Sequence, residues 1–170
     1  MLRPKSSLKG GGLVRSSIDV HNHLQSLGVQ HEFVTLSDHI KGTEQLAELL
    51  DLEPCSVVRT LVFIADGQPV LVMVPGDRRA DKGKLKKHLS AARLMLATEH
   101  EVFEITDYMV TALPPVAFKS SVIAIADHSL TGTNIVYTAG GDPNIVLKLR
   151  ASDLVKATKA TLADICAAAR

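Results

Sequence analysis

At residues 56–74 the chain reads SVVRTLVFIADGQPVLVMV. Two runs rich in Val, Leu, Ile and Phe flank the pair Asp66-Gly67, which is typical of a tight hairpin turn. The stretch therefore predicts two antiparallel strands, Ser56 to Ala65 and Pro69 to Val74. A single charged residue, Arg59, interrupts the first strand. Because burying an unpaired cation is costly, Arg59 must face solvent, an acidic side chain or an anionic ligand.

Helices and further strands are predicted on both sides of this hairpin. Helix signals begin at Ser17, Thr43, Asp81, Thr98 and Ser152, and a last helix is predicted from Thr161 to the C-terminus. Further strands are predicted over 30–36, 122–126, 135–138 and 145–149. Because strands and helices mix without strict βαβ alternation, the pattern predicts a single α/β domain of the α+β type. Its sheet is expected to be mixed and strongly curved, with helices packed around it.

Length and composition favour one folded domain. The chain has 170 residues, 46% of them hydrophobic, which is enough to bury a core. Charged residues interrupt every apolar run before the roughly 20 residues that span a bilayer, and residues 1–12 lack the apolar core of a signal peptide. We therefore expect a cytoplasmic protein with no membrane contact and, by default, a monomer. Residues 1–15 are predicted to be a flexible arm before a domain at 16–170.

The charge distribution limits how the chain can bind nucleic acid. Its formal net charge is +1, so any such contact must come from a local basic patch. The stretch from Arg78 to Arg93 is strongly basic and contains one acidic residue, Asp81. Alone it is typical of a solvated helix face. Beside a pocket for a charged chain end, it could hold a phosphate backbone.

Standard catalytic motifs are missing, since neither a P-loop nor GxGxxG, HExxH or GxSxG occurs. His21 and His23 diverge by about 200° on a helix and so do not make a metal site together. Asp127-His128-Ser129 holds the residue types of a triad, but consecutive strand residues point to opposite faces. Cys55 and Cys166 lack metal-ligand spacing and are expected to be reduced thiols. No metal or cofactor is predicted.

Three segments remain as candidates for a site. Arg59 is consistent with an arginine that lies on an edge strand or forms a salt bridge, or with a guanidinium at the mouth of a pocket that holds ribose or phosphate oxygens. Thr106 to Pro115 ends in two prolines, which restrict the backbone and predict a loop of defined shape. By itself this pattern indicates only a rigid loop. Val136 to Asn144 contains the pair Gly140-Gly141, where a ligand or another backbone could approach closely. Alone it is a simple hairpin turn.

Taken in this order, the segments resemble the YbaK / prolyl-tRNA synthetase-associated editing domain family, from about Ser17 to the C-terminus. The strand around Arg59 resembles a family strand with Lys-Thr-Leu at its centre, and Pro69 to Asp77 resembles the next strand with its Pro-Gly-Asp end. Thr106 to Pro115 resembles a loop written Thr-Gly-Tyr-x-x-Gly-x-x-Pro-Pro. Ile135 to Leu154 resembles the closing glycine turn, strand and helix start.

The resemblance implies a barrel-like mixed sheet surrounded by helices. It also implies hydrolysis of the ester that joins a mischarged amino acid to the terminal adenosine of a tRNA. Water is the implied nucleophile, assisted by the ribose hydroxyl of the substrate, so no metal or cofactor is needed. By position, Arg59 takes the place of the family's strand lysine, the implied catalytic residue, which contacts the tRNA 3′ end. The implied substrate-binding residues are Thr60, Thr111, Pro115, Gly140, Gly141 and Asn144.

The chain departs from the family pattern at several positions. Arg59 replaces the lysine, and Asp107 and Thr111 replace two loop glycines. Ile145 stands where some alanine-editing members carry a histidine. Two hypotheses follow. One is a trans-acting aminoacyl-tRNA deacylase for a small residue such as Ala, Ser, Cys or Thr, working alone or with a synthetase. The other is a non-catalytic relative that binds tRNA, a synthetase or a nucleotide-like ligand.

Overall fold

Two β-sheets and five α-helices make up residues 14–168, the part of the chain that the computed structural model describes. The helices are α1 (Ser17–Ser26), α2 (Thr43–Leu49), α3 (Lys82–Leu89), α4 (Glu99–Thr106) and α5 (Ala151–Thr158). The strands are β1 (Glu32–Thr35), β2 (Val58–Ala65), β3 (Gln68–Pro75), β4 (Leu94–Leu96), β5 (Ile123–Asp127), β6 (Ile135–Ala139), β7 (Ile145–Arg150) and β8 (Thr161–Ala163). Short 3-10 helices occupy Pro54–Ser56, Val110–Ala112 and His128–Gly132.

The central hairpin is confirmed. Strands β2 and β3 pair antiparallel, with Arg59 opposite Val74 and Ala65 opposite Gln68 at the turn. They lie inside a five-stranded sheet of order β4-β2-β3-β5-β8, in which β3–β5 and β5–β8 are parallel pairs. Because parallel and antiparallel pairs share this sheet, the predicted mixed sheet is also confirmed.

The predicted barrel-like closure is not confirmed. Strands β1, β7 and β6 form a separate antiparallel sheet of three strands. The two sheets meet at one isolated parallel bridge, between Val57 and Tyr137. The 3-10 helix Pro54–Ser56 immediately precedes Val57 and limits the pairing on its N-terminal side. The domain therefore has two sheets that share buried side chains but are joined through the backbone at this one corner, within the described residues, and the candidate site lies there.

The predicted C-terminal helix is wrong. Thr161–Ala163 is strand β8, which pairs parallel with β5 from Ile125 to Asp127. The Ala-rich sequence favours a helix locally, but pairing with the exposed edge of β5 satisfies the backbone and lets Ile165 and Cys166 enter the core. Tertiary contacts thus override local propensity in this segment.

Helix starts differ from the prediction at three places, one of which is α5, where Arg150 and not Ser152 takes the cap position. Ser16, not Ser17, caps α1, and Asp19 completes a capping box with it. Gly42, not Thr43, precedes α2, so Thr43 is the first helical residue. Asp81 and Thr98 cap α3 and α4 through side-chain hydrogen bonds to the first turn.

Two groups of buried side chains position the elements around the site. Val20 and Leu24 of α1 pack with Met73 of β3 and Leu147 of β7, and all four are completely buried. A smaller cluster joins α2, through Leu46 and Ala47, to Val57 and Val146. Each large apolar side chain buried in this way contributes about 1.5–3 kcal/mol. The smaller cluster holds α2 over the corner where the sheets meet.

The described part of the predicted N-terminal arm makes specific contacts. Arg15 N–H donates to the Asp107 carbonyl at 2.9 Å, and Arg15 Nη1 donates to the Ala117 carbonyl at 3.1 Å. Residues 1–13, the rest of the predicted arm, lie outside the described residues. Within residues 14–168, no helix has the length and apolar character needed to cross a membrane.

A buried carboxylate, Asp127, fastens the C-terminal segment to β5. Asp127 accepts hydrogen bonds from Ser129 N at 3.1 Å, from the Ser129 hydroxyl, and from Ile165 N at 3.0 Å. Burial raises the pKa of Asp127, but these hydrogen bonds outweigh burial and hold the pKa below its usual value. The ionised form is therefore the one that the fold stabilises.

We expect Asp127→Ala to lower the free energy of unfolding at pH 7 by about 2–4 kcal/mol, because buried donors on Ser129 and Ile165 lose their acceptor. Because the folded-state pKa is lowered, the wild-type carboxylate stabilises the fold above its unfolded pKa of about 3.9. That stabilisation is lost as the pH falls through the folded pKa.

Urea unfolding at pH 7 and pH 3 measures both the effect of Asp127→Ala and its pH dependence. Asp164→Ala is the control, since Asp164 is exposed and pairs only at the surface with Lys84. Equal losses in the two variants at pH 7 would contradict the role of Asp127.

Candidate active site

A cleft with a volume of about 300 Å³ opens at the corner where the two sheets meet. Its walls come from the start of β2, the end of β6, the beginning of α2 and the 3-10 helix Val110–Ala112. The apolar wall side chains are Ile40, Leu46, Val57, Val58, Val110, Leu113 and Ala139. The polar side chains are Lys41, Thr43, Arg59, Thr60, Thr111 and Thr138. The cleft is thus an apolar pocket with hydroxyls and two cations, and among residues 14–168 no His, Cys, Asp or Glu lines its wall.

Arg59 lies at the mouth of this cleft. Its Nη2 donates to Thr43 Oγ1 at 3.2 Å, a contact that links β2 to the first turn of α2. At this position β2 forms a ladder with β3 alone, because β4 begins to pair at Phe63, but β6 lies close by through the Val57–Tyr137 bridge. Arg59 is half-buried here, and its guanidinium forms no salt bridge with a carboxylate of residues 14–168. The cation is left available to an anionic ligand.

Thr60 and Thr138 meet inside the cleft although they come from different sheets. Their hydroxyl oxygens are 3.4 Å apart. Thr138 is 1% exposed, while Thr60 is half-buried. The sequence reasoning selected Thr60 but missed Thr138 and Thr43. The one available signal was a threonine within the apolar strand Ile135–Ala139, and strand register alone does not show which residue of another sheet it will meet.

Asp107 and Thr111, which replace two glycines of the family pattern, differ in backbone conformation and in their distance from the cleft. Asp107 ends α4 in the left-handed conformation, with φ of 66°, which explains why a glycine suits this position. Its carboxylate is buried beside Lys119 Nζ at 3.1 Å and Arg15 Nε at 3.9 Å, and it does not line the cleft. Thr111 lies in a 3-10 helix, has no positive φ, and lines the cleft. The Asp107 charge is therefore neutralised away from the cleft.

The other predicted substrate-binding residues do not line the cleft. Pro115 is buried and borders a different cavity, beside the end of α5. Gly140 N–H donates to the Ile145 carbonyl at 2.9 Å, and Asn144 Nδ2 donates to the Leu36 carbonyl at 3.3 Å. Gly141 has φ of +107° and lies against the backbone of Ser16 and Ser17. The space left by the glycines is thus used by the chain's own backbone and Ile145, and substrate contact by these four residues stays a prediction.

A second groove, with a volume of about 390 Å³, shares Arg59 with the cleft. Its basic side chains are Arg59, Arg78, Arg79 and Lys82, and its acidic ones are Glu44 and Asp77. The positive charges outnumber the negative ones by two, so this groove favours an anion. We refer to it as the basic groove. Arg59 stands at the junction between the apolar cleft and the basic groove.

Other clusters of polar side chains lie away from this junction. His21 pairs with His31, not with His23, through ring nitrogens 2.9 Å apart, in an open groove of about 640 Å³. Asp127, His128 and Asp164 offer possible metal-ligand atoms within 4.8 Å of one another. However, both Asp127 oxygens already accept hydrogen bonds, and Asp164 pairs with Lys84 Nζ at 3.0 Å.

The two cysteines are free. Burial raises the pKa of the Cys166 thiol to about 12, which keeps it protonated and unreactive near neutral pH. Cys55 is half-buried and does not line the cleft.

A family model for the aminoacyl-tRNA editing domain matches residues 37–157, a span that contains the whole cleft wall. The chain belongs to the aminoacyl-tRNA editing domain family. The resemblance recognised in the three segments of the sequence is thereby confirmed.

Curated relatives of the chain include prolyl-tRNA ligases. The proline–tRNA ligase of Citrifermentans bemidjiense is 30% identical over 151 residues, which is 82% of this chain and 26% of that protein. The enzyme from Levilactobacillus brevis is 35% identical over 103 residues, 61% of this chain and 18% of that protein. The chain therefore spans about a quarter or less of the length of these relatives.

Solved structures share the fold over nearly their whole length. The crystal structure of a protein proposed to be a trans-editing enzyme for prolyl tRNA synthetase is 27% identical, with a TM-score of 0.84, and the match covers 89% of this chain and 97% of that one. A hypothetical protein of known crystal structure is 28% identical, with a TM-score of 0.82, and the match covers 88% and 99% of the two chains. Members of this fold thus exist both inside long ligases and as chains of about this size.

Proposed function

We propose that this chain is a trans-acting aminoacyl-tRNA deacylase that hydrolyses the ester of a small mischarged amino acid. The observation that carries the proposal is the position of Arg59, whose guanidinium has no carboxylate partner within residues 14–168 and lies between an apolar cleft and a basic groove. An aminoacyl-tRNA has the matching division, because a small acyl group is joined to a polyanionic strand. Family membership and the match to a chain proposed to act in trans support the same activity.

The residues of the cleft wall favour water as the nucleophile. Within the described part of the chain, this wall offers no His, Cys, Asp or Glu to act as a nucleophile or general base. Water adds to the ester carbonyl and the bond from the carbonyl carbon to the ribose oxygen breaks. The ribose oxygen takes up a proton, and the amino acid leaves as a carboxylic acid that ionises. A neighbouring ribose hydroxyl of the substrate is in a position to orient this water, as the family resemblance implies.

Arg59 is assigned two tasks in this reaction. Its planar guanidinium can donate to Thr43 and to a substrate oxygen at the same time, which fixes the position of the tRNA 3′ end. Its charge also stabilises negative charge that develops near the ester in the transition state. Thr60 and Thr111 border the space that remains for the acyl group.

The test is deacylation of tRNAs charged with Ala, Ser, Cys, Thr and Pro, with Arg59→Lys run beside the wild type. Cleavage of one or more of these esters by the wild type would support the proposal. A specific observation favours a second candidate, since Arg59 stands where the family has lysine. If only Arg59→Lys cleaves an ester, the wild type is a binding module. Salt-dependent binding of tRNA without cleavage by either protein would point to the same conclusion.

The basic groove is proposed to hold the phosphates that precede the terminal adenosine. We expect the double variant Arg78→Gln, Arg79→Gln to raise KM with little change in kcat, because these side chains bind the substrate away from the ester. The slope of log kcat/KM against log salt should fall by about 0.7 for each phosphate that the variant no longer binds. The matched control is Lys86→Gln, Lys87→Gln, which removes the same charge from the exposed side of α3 outside the groove. Equal effects of the two double variants would show a general charge effect and no specific path.

A further inference from the structure

The hydroxyl pair of Thr60 and Thr138 has more hydrogen-bonding capacity than the folded chain uses. Each threonine hydroxyl has one hydrogen to donate and two lone pairs that accept. Their mutual contact, at 3.4 Å, uses one hydrogen and one lone pair. Within residues 14–168 neither hydroxyl makes another hydrogen bond. One donor hydrogen and several lone pairs are therefore free, and one of the two residues is almost completely buried.

The surroundings of the pair make these free groups costly. Leu46, Val57, Val58 and Leu113 are buried apolar residues of the same cleft wall. An unsatisfied polar group in such surroundings costs about 1–3 kcal/mol. Valine has almost the shape of threonine and would remove that cost at either position. The hydroxyls are thus explained if a ligand completes their hydrogen bonds.

The position of Arg59 indicates which part of the ligand reaches the pair. Arg59 precedes Thr60 in β2 and faces the basic groove as well as the cleft. A polyanionic strand is favoured on the basic side, so the group left to enter the apolar cleft is the acyl group. The cleft volume of about 300 Å³ leaves room for the whole acyl group.

We propose that Thr60 and Thr138 select aminoacyl esters whose side chain carries a β-hydroxyl, namely seryl and threonyl esters. This selectivity rests on the deacylase activity proposed above. The substrate hydroxyl accepts the free hydrogen of the pair and donates to a free lone pair. A substrate without that hydroxyl leaves the free hydrogen of the pair without a partner beside the almost completely buried Thr138. Sites built to bind a hydroxyl discriminate strongly against the analogue that lacks it.

The experiment compares esters that differ only by exchange of a hydroxyl for a methyl group. tRNA charged with serine is paired with tRNA charged with 2-aminobutyrate, and threonine is paired with valine. We expect the wild type to cleave the hydroxyl ester about 10- to 100-fold faster in each pair, which corresponds to about 1.4–2.8 kcal/mol. Thr138→Val and Thr60→Val should reduce this ratio towards one, mainly by slowing the hydroxyl esters. Thr133→Val is the matched control, since Thr133 lies outside the cleft.

Each remaining outcome overturns the inference in a recognisable way. A wild-type ratio near one or below one would show that the pair does not select the side chain, while the deacylase activity would stand. An equal slowing of all four esters by Thr138→Val would assign the pair to a group that all substrates share, such as the ammonium or the ribose. If neither the wild type nor Arg59→Lys cleaves any ester, the proposed function fails and this inference fails with it. Circular dichroism and thermal unfolding of each variant show whether it has folded.

Discussion

Replacing Arg59 with alanine is expected to lower kcat/KM for ester cleavage by at least about 100-fold, which is the usual effect of removing one donor that stabilises developing negative charge. The structure gives the reason. The guanidinium stands at the junction of the cleft and the basic groove, forms no salt bridge within residues 14–168, and donates only to Thr43. Its removal should therefore leave the fold intact and affect the substrate alone. Single-turnover cleavage of a charged tRNA measures the loss without a contribution from product release.

Two further variants give this prediction its specificity. Arg59→Lys keeps the charge but loses the planar fork, so we expect it to retain more activity than Arg59→Ala. Arg150→Ala removes an arginine that is exposed and borders a different groove, so its rate should stay near that of the wild type. Near-normal cleavage by Arg59→Ala would falsify the assigned role. An equal loss in Arg150→Ala would attribute the effect to net charge.

The second large effect is expected on stability, from Gly141→Ala. Gly141 has φ of +107°, a conformation that alanine adopts only with strain. A Cβ built there would lie 2.7 Å from the Ser16 carbonyl carbon and the Ser17 nitrogen, so the start of α1 would have to move. The same contact region holds the hydrogen bond from Ser17 N to Asp142 Oδ2 at 2.9 Å. Strain and overpacking together should lower the free energy of unfolding by about 2–5 kcal/mol.

Urea denaturation of Gly141→Ala measures this loss, with Gly132→Ala as the matched control. Gly132 has no positive φ, and apart from its two chain neighbours and the backbone of its own 3-10 helix no residue of 14–168 comes within 4 Å of where its Cβ would be. We expect Gly132→Ala to change stability by less than about 1 kcal/mol. A stable Gly141→Ala variant with a raised KM would instead favour direct contact between this glycine and the substrate, which is the role that the family resemblance implies.

Several parts of the fold were predictable because their signals are local. The Asp66-Gly67 turn lies between two β-rich runs, and the observed hairpin pairs those runs around that turn. Asp81 and Thr98 were recognisable as helix starts because a capping side chain acts on backbone within its own first turn. The Ala-rich C-terminal segment was predicted wrongly because its conformation depends on β5, which is distant in sequence and which it joins as a parallel strand.

The candidate site likewise contains residues that the sequence could identify and residues that it could not. Arg59 could be identified from the sequence because one cation within an apolar strand needs an explanation wherever the strand lies. Thr43 and Thr138 could not, because each is an ordinary residue of its own element. Only the packing of α2 and β6 against the start of β2 brings them beside Arg59 and Thr60. The glycine pair was recognisable as a close approach, but the approaching group proved to be the chain's own backbone together with Ile145.

The sequence by itself therefore determined the central hairpin, most of the helix starts, the family and the anomalous arginine. The hairpin, the helix starts and the arginine follow from hydrogen bonds, turns and solvation costs that act within a few residues along the chain, whereas the family follows from the resemblance of the ordered segments. The tertiary structure alone decided that the sheets stay separate and meet at Val57 and Tyr137. It also decided that the cleft opens there and that a hydroxyl from each sheet lies within it. The physical reason is that these features depend on how burial of apolar side chains places distant segments against each other, which no local pattern specifies.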